Sequence, residues 1–194
     1  MTSPPAPSWR EEQDLPAAAR RLPREPVSRR VRAIVAVALV GWLVSLVLQV
    51  LLLPDRVPAH WGSGPQPDRW GSKVETLVVT GLLPALLTLG TPQLARIVLV
   101  APSMVNAPQR EWWTAAPQRL VRFERLVRED LWLVGAWMLL LFAALGMMVI
   151  QASRAGGAMP GWILPATVVW VGALLGYCAW MSLGSRYRPD PALA

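Results

Sequence analysis

Charge is missing from four long stretches of this chain, and that absence constrains the fold more than any motif does. Ala33 to Leu53 holds no Asp, Glu, Lys or Arg in 21 residues, and Leu77 to Ala95 none in 19. Leu131 to Ser153 has none in 23, and Ala155 to Ser185 none in 31. At about 1.5 Å of rise per residue, roughly 20 apolar residues cross the hydrocarbon core of a bilayer as a helix. The four runs predict an all-α integral membrane protein with transmembrane helices over about 33–53, 75–95, 131–152 and 160–183. A soluble fold would have to wrap these runs in polar residues. Only 16% of residues are charged, against about a quarter in soluble domains, so the wrapping is not there.

The basic residues set an orientation. Seven arginines precede the first run (Arg10, Arg20, Arg21, Arg24, Arg29, Arg30, Arg32), and six occupy the second connection (Arg96, Arg110, Arg119, Arg122, Arg125, Arg128). The first loop has Arg56, Arg69 and Lys73, the third has Arg154, and the tail has Arg186 and Arg188. The positive-inside rule then puts both termini in the cytoplasm and the first loop outside. The first run is too long for a cleaved signal peptide and lacks a small-x-small site after it, so it reads as an uncleaved anchor. The net charge of +7 does not point to nucleic acid, because the arginines flank apolar runs and form no basic face with stacking aromatics. Lipid headgroups are the expected partner of that charge. The single cysteine, Cys178, lies inside the last run and reads as a packing residue.

Residues 1–28 are rich in Pro, Arg and Glu and read as a flexible cytoplasmic tail, with Pro16 and Pro23 arguing against a helix over Leu15 to Leu22. The membrane domain is expected over 29–188, followed by a short tail over 189–194. Gly81, Pro84, Gly90 and Pro92 predict a kinked second helix ending near Leu94, with Arg96 snorkelling to the interface. Pro117 to Asp130 reads as an amphipathic cytoplasmic helix leading into the third span, N-capped by Thr114. Leu120, Phe123 and Val127 form its apolar side, expected in lipid, with partner binding as the rival reading. Trp112, Trp113, Trp132, Trp162 and Trp180 read as interfacial anchors. Gln49, Thr80, Thr88, Gln151 and Thr167 read as helix–helix hydrogen-bonding residues, and Gly172 and Gly176 as a close-packing spacing.

The first loop carries the only histidine, His60, and the only lysine, Lys73. Pro54, Pro58, Pro65 and Pro67 restrict it and Gly62, Gly64 and Gly71 allow tight turns, so it reads as compact. His60 can change charge near neutral pH. Asp55 and Asp68 are candidate partners for His60, Arg56, Arg69 or Lys73. Three readings are open, in this order. The loop is self-capped, with Trp61 and Trp70 on the headgroups; or Asp55, His60, Trp61, Asp68, Trp70 and Lys73 form a recognition surface; or the one His and two Asp hold a hard metal. A metal site needs at least three ligands, which places that reading last. No apolar run has a central ionisable group, and there is no phosphate loop, HExxH or nucleophile elbow. The chain therefore reads as a non-enzyme without cofactor.

Leu53-Pro54-Asp55-Arg56-Val57-Pro58, His60-Trp61, Pro67-Asp68 and Trp70-Gly71-Ser72-Lys73 resemble the signature of an uncharacterised bacterial membrane domain. That domain also forms the N-terminal half of immunity proteins against a sporulation-delaying killing factor. Asn106, Pro108, Glu111 and Trp113 resemble a second, cytoplasmic segment of the same family. Gly62 and Pro65 depart from its pattern. The resemblance implies a multi-pass protein of the bacterial inner (plasma) membrane, with a sensing or immunity-like role toward an outside peptide or envelope protein. The alternative reading is an accessory subunit of a larger membrane complex or transporter; a membrane-protein partner or homo-oligomer is open in either case.

Overall fold

The computed structural model describes residues 9–193, with side chains from Leu15 onward. Four helices are long and apolar enough to cross a membrane: Arg29–Leu52, Lys73–Val100, Pro117–Arg154 and Ile163–Leu183. The chain divides into two compact units. Among the described residues, one comprises 9–28, 93–130 and 177–193, the other Arg29–Pro92 and Leu131–Gly176.

In the second unit, α2 (Arg29–Leu52) leads into an antiparallel hairpin of β1 (Arg56–Trp61) and β2 (Pro67–Ser72). The all-α expectation is corrected here. Two prolines inside six-residue segments hide the strands from a reading by alternation. The pairing works around them, running from Arg56 opposite Ser72 to Trp61 opposite Pro67, with irregularities on either side of His60. α3 (Lys73–Leu77) starts directly after β2, N-capped by Ser72, whose hydroxyl accepts from the Glu75 N–H at 3.0 Å.

The second apolar helix is interrupted rather than simply kinked. A π-helical turn, Val78–Leu82, precedes α4 (Leu83–Gly90), and a 3-10 turn, Thr91–Arg96, follows it. Pro84 explains part of this. It has no N–H for the carbonyl four residues back, at Thr80, and its ring crowds that turn. The freed Thr80 oxygen accepts from the indole N–H of Trp42 at 2.8 Å, so Trp42 replaces the bond that proline removes.

α2 packs on the later part of α7 (Pro117–Arg154) through Ala38, Trp42, Ala136 and Leu139. Nearer the hairpin, Leu53, Val57, Met148, Val149 and Ile150 form a second apolar cluster. The buried hydroxyl and amide side chains between the helices are neutral and bonded. Fully buried Gln49 accepts from Thr80 Oγ1 at 2.7 Å and approaches Ser45 Oγ at 3.3 Å. Ser45 Oγ donates to the Ala143 oxygen at 2.9 Å, and Thr88 Oγ1 to the Gly135 oxygen at 3.1 Å. Glycine makes this possible: a Cβ on Gly146 would lie 2.1 Å from Gln49 Nε2. Gln49, Thr80 and Thr88 thus bond between helices, and Gln151 accepts from Trp162, whereas Thr167 bonds back to Ile163 of its own α8 (Ile163–Leu183). A methyl group added at Gly172 or Gly176 would meet nothing within contact distance among the described residues, so that spacing packs no helix in this chain.

The first unit differs from expectation in four places. Residues 1–8 of the expected tail lie outside the described residues, but Trp9–Arg21 forms α1 with Pro16 inside it. Tertiary burial outweighs the proline here: Ala19 joins Val98, Leu99, Leu120 and Phe123 in one core, and Arg20 donates to the Leu99 oxygen at 2.8 Å. The apolar side of residues 117–130 does not face lipid. Leu120 and Phe123 are fully buried against the chain's own α1, α5 (Ile97–Val100) and C-terminal segment. Trp113 is likewise no interfacial anchor. It ends α6 (Arg110–Trp113), is buried, stacks on Phe123 at 5.6 Å and donates to the Tyr187 oxygen at 3.0 Å. Thr114 closes α6 by bonding the Arg110 oxygen at 3.0 Å, so it does not cap α7, which begins at Pro117.

Ion pairs fix the same unit. Glu124, fully buried, takes Arg24 and Arg128. Arg122 binds Glu25 at 2.6 Å and Asp190 at 2.8 Å. Arg186 binds Glu129 and Asp130, and Glu129 also accepts from the Ser28 N–H at 2.7 Å. The Tyr187 hydroxyl donates to Asp130 at 2.5 Å. Burial, then the carboxylate beside it, push the Tyr187 pKa far above the usual phenol range, which keeps it a donor.

Candidate functional site

The hairpin brings the first-loop residues onto one small platform. Its buried side is apolar: Val57 is fully buried and Pro58 nearly so. Trp61 packs on the same cluster and donates its indole N–H to the Gly157 oxygen at 2.9 Å. The Met159 N–H donates to the Pro65 oxygen at 2.9 Å. The turn after α7 reaches this close because Gly156 and Gly157 take positive φ, 64° and 97°, and a Cβ on Gly157 would sit 2.8 Å from Pro67. Backbone and indole bonds therefore tie the platform to residues 157–159, and it is not a free loop.

The exposed side is polar and paired. His60 Nδ1 lies 2.6 Å from Asp68 Oδ1, with both side chains more than half exposed. Gly62 leaves room for that carboxylate, since a Cβ there would stand 2.8 Å from Asp68 Oδ2. Arg69 pairs with Glu75 at 3.1 Å, and the Arg56 guanidinium sits 5.5 Å from the centre of the Trp70 ring. Glu75 was missed by the sequence reading, although Ser72 followed three residues later by Glu is a known helix-start signal.

Two candidates take other roles. Lys73 Nζ donates to the Val50 oxygen at 2.6 Å and so caps the C-terminal end of α2, where carbonyls lack partners and a cation is favoured. Asp55 makes no ion pair among the described residues; its main-chain oxygen accepts from the Lys73 N–H at 3.0 Å. Among the described residues no three His, Cys, Asp or Glu side chains converge.

The second motif, Asn106, Pro108, Glu111 and Trp113, splits. Asn106, Glu111 and Arg110 are exposed around a shallow polar groove, with Gln109 in the left-handed region at φ 58°. Pro108 is half-buried, and Trp113 belongs to the core of its unit.

A helical chain with four membrane-length apolar helices and one short hairpin is the class this fold defines. Residues 36–87 match the family profile described as a domain of unknown function (DUF1648). The match takes in most of α2, the whole hairpin and α4 nearly to its end, and so every candidate residue of the platform. The chain is also similar to an uncharacterised protein of Archaeoglobus fulgidus, 36% identical over 78 residues that cover 39% of this chain and 42% of that protein. No solved structure matches.

Proposed function

We propose that this is a non-enzymatic multi-pass protein of the bacterial inner membrane, whose hairpin platform meets a peptide or envelope protein outside the cell in a sensing or immunity-like role. The observation that carries the reading is the ordered platform. Trp61, Pro65 and Pro67 lock its underside, while His60, Asp68, Arg56 and Trp70 stay exposed on a surface that needs little reordering to bind. Preorganisation of this kind lowers the entropic cost of association. The arginine distribution supports an orientation with both termini in the cytoplasm. The resemblance of the loop to the killing-factor immunity proteins supports the class of ligand.

The test has two arms. With Cys178→Ala as background, His60→Cys should react with an impermeant maleimide in intact cells; labelling only after permeabilisation overturns the orientation. A photo-crosslinker at position 70 should then capture an extracytoplasmic peptide or protein, and capture should fall with His60→Gln/Asp68→Asn at equal membrane abundance. Unchanged capture sinks the platform as the recognition surface.

A second reading, an accessory subunit or homo-oligomer, is favoured by α8. No residue in its apolar window is buried in this chain. Purification in mild detergent followed by mass spectrometry separates the two: a stoichiometric membrane partner supports the second reading.

A further inference from the structure

The arginines of this chain differ in what they face. Arg24, Arg122, Arg125, Arg128 and Arg186 all face carboxylates. Arg29, Arg30 and Arg32 do not: all three are exposed, and none has an ion pair or side-chain hydrogen bond among the described residues. The first turn of α2 holds no acidic residue to answer them.

Below them the surface of the same helix carries a shallow, open apolar groove along Val40, Leu43, Val44, Val47 and Leu48. At 3.6 residues per turn, positions separated by 11 or 18 residues lie close to one line along the helix, after about three or five turns. Val40 and Val47 follow Arg29 at those separations, Leu43 follows Arg32 by 11, and Leu48 follows Arg30 by 18. Groove and guanidinium groups therefore share one face of α2. The buried residues of this helix, Val31, Ala38, Trp42, Ser45 and Gln49, occupy the opposite face. The near end of the groove, at Val40, lies about 12 Å along the axis from Arg32, within the roughly 15 Å depth of one leaflet's hydrocarbon.

We propose that this face of α2 is a binding site for one anionic phospholipid. Its phosphate is held by Arg29, Arg30 and Arg32, and one acyl chain lies along Val40 to Leu48. Guanidinium groups suit phosphate oxygens through paired N–H donors. The wholly apolar groove offers nothing to a free anion, so the two halves together select a ligand with a charged head and a long tail. The inference rests on α2 crossing a bilayer, which the position-60 labelling tests separately.

The experiment uses the full chain, purified from phosphatidylcholine membranes doped with phosphatidylglycerol, with retained lipid read by mass spectrometry. The wild-type protein should retain phosphatidylglycerol in excess of its membrane fraction. Arg29→Gln/Arg30→Gln/Arg32→Gln should lower that preference on the order of a hundredfold, since each basic residue near an anionic surface contributes about a factor of five. The Lys triple variant should restore most of it, and Arg154→Gln should leave it unchanged. Val44→Trp, which fills the groove, should remove the preference for long-chain over dihexanoyl phosphatidylglycerol. Equal loss with Arg154→Gln overturns the site in favour of diffuse charge attraction. Displacement of lipid by inorganic phosphate alone overturns it in favour of a free-anion site. An undiminished preference throughout the series, with labelling at position 60 intact, overturns this inference and leaves the topology standing.

Discussion

The two units bury polar groups by opposite means. Around Gln49 the buried groups are all neutral: hydroxyls, an amide, an indole and main-chain oxygens. Around Glu124, Glu129 and Asp130 they are carboxyl groups matched to arginines. The cost of desolvation accounts for the contrast. An ion in hydrocarbon has no water to fall back on, so a helix meant for lipid satisfies its interior with uncharged donors and acceptors. Where water is within reach, carboxylates can be buried, provided that each is paired. The chemistry of the buried groups thus separates the segments suited to lipid from those suited to water, independently of hydropathy.

The comparison can be broken most severely at Glu124. Glu124→Ala leaves Arg24 and Arg128 without their buried partner and should cost about 3–5 kcal/mol. Hydrogen exchange should rise across residues 15–28 and 184–193 and stay unchanged in α2 and α4. Equal loss of protection in α2 would erase the distinction between the units. The corresponding break in the neutral cluster is Gly146→Ala, whose methyl meets the Gln49 amide. Overpacking there should cost about 1–3 kcal/mol, seen as a lower midpoint of unfolding in detergent. Trp42→Phe removes the donor to the oxygen freed by Pro84 and should cost about 1–3 kcal/mol. The added variant Pro84→Ala should recover part of that loss by returning an N–H to the helix. The smallest effect is expected at the platform surface. His60→Gln or Asp68→Asn removes an exposed pair and should change stability by no more than about 1 kcal/mol. A functional defect in either variant at unchanged unfolding midpoint would then report recognition and not folding.

The apolar helices were legible in the sequence because absence of charge over about 20 residues is a long, additive signal. Gln49, Thr80 and Thr88 were legible as interhelical bonders for the same reason: a lone polar side chain in an apolar run needs a partner. The hairpin was not, since Pro58 and Pro67 break the alternation and its docking joins Trp61 and Pro65 to Gly157 and Met159, far along the chain. The first unit was misread because Leu120, Phe123 and Val127 show amphipathicity without showing what covers it. Lipid and the chain's own α1 present the same apolar surface to such a stripe. Lys73 looked like a recognition residue because it is unique. Its place at the end of α2 depends on the hairpin reversing the chain, which composition does not reveal.

One bond at the platform has a mechanical consequence. Trp61 gives its indole proton to Gly157, so the strand and the turn after α7 form a single hinge leaf and not two neighbouring flaps. Moving the tryptophan outward breaks this bond and frees the Gly157 oxygen. The hairpin and the turn that joins α7 to α8 are thereby pinned to each other at one point.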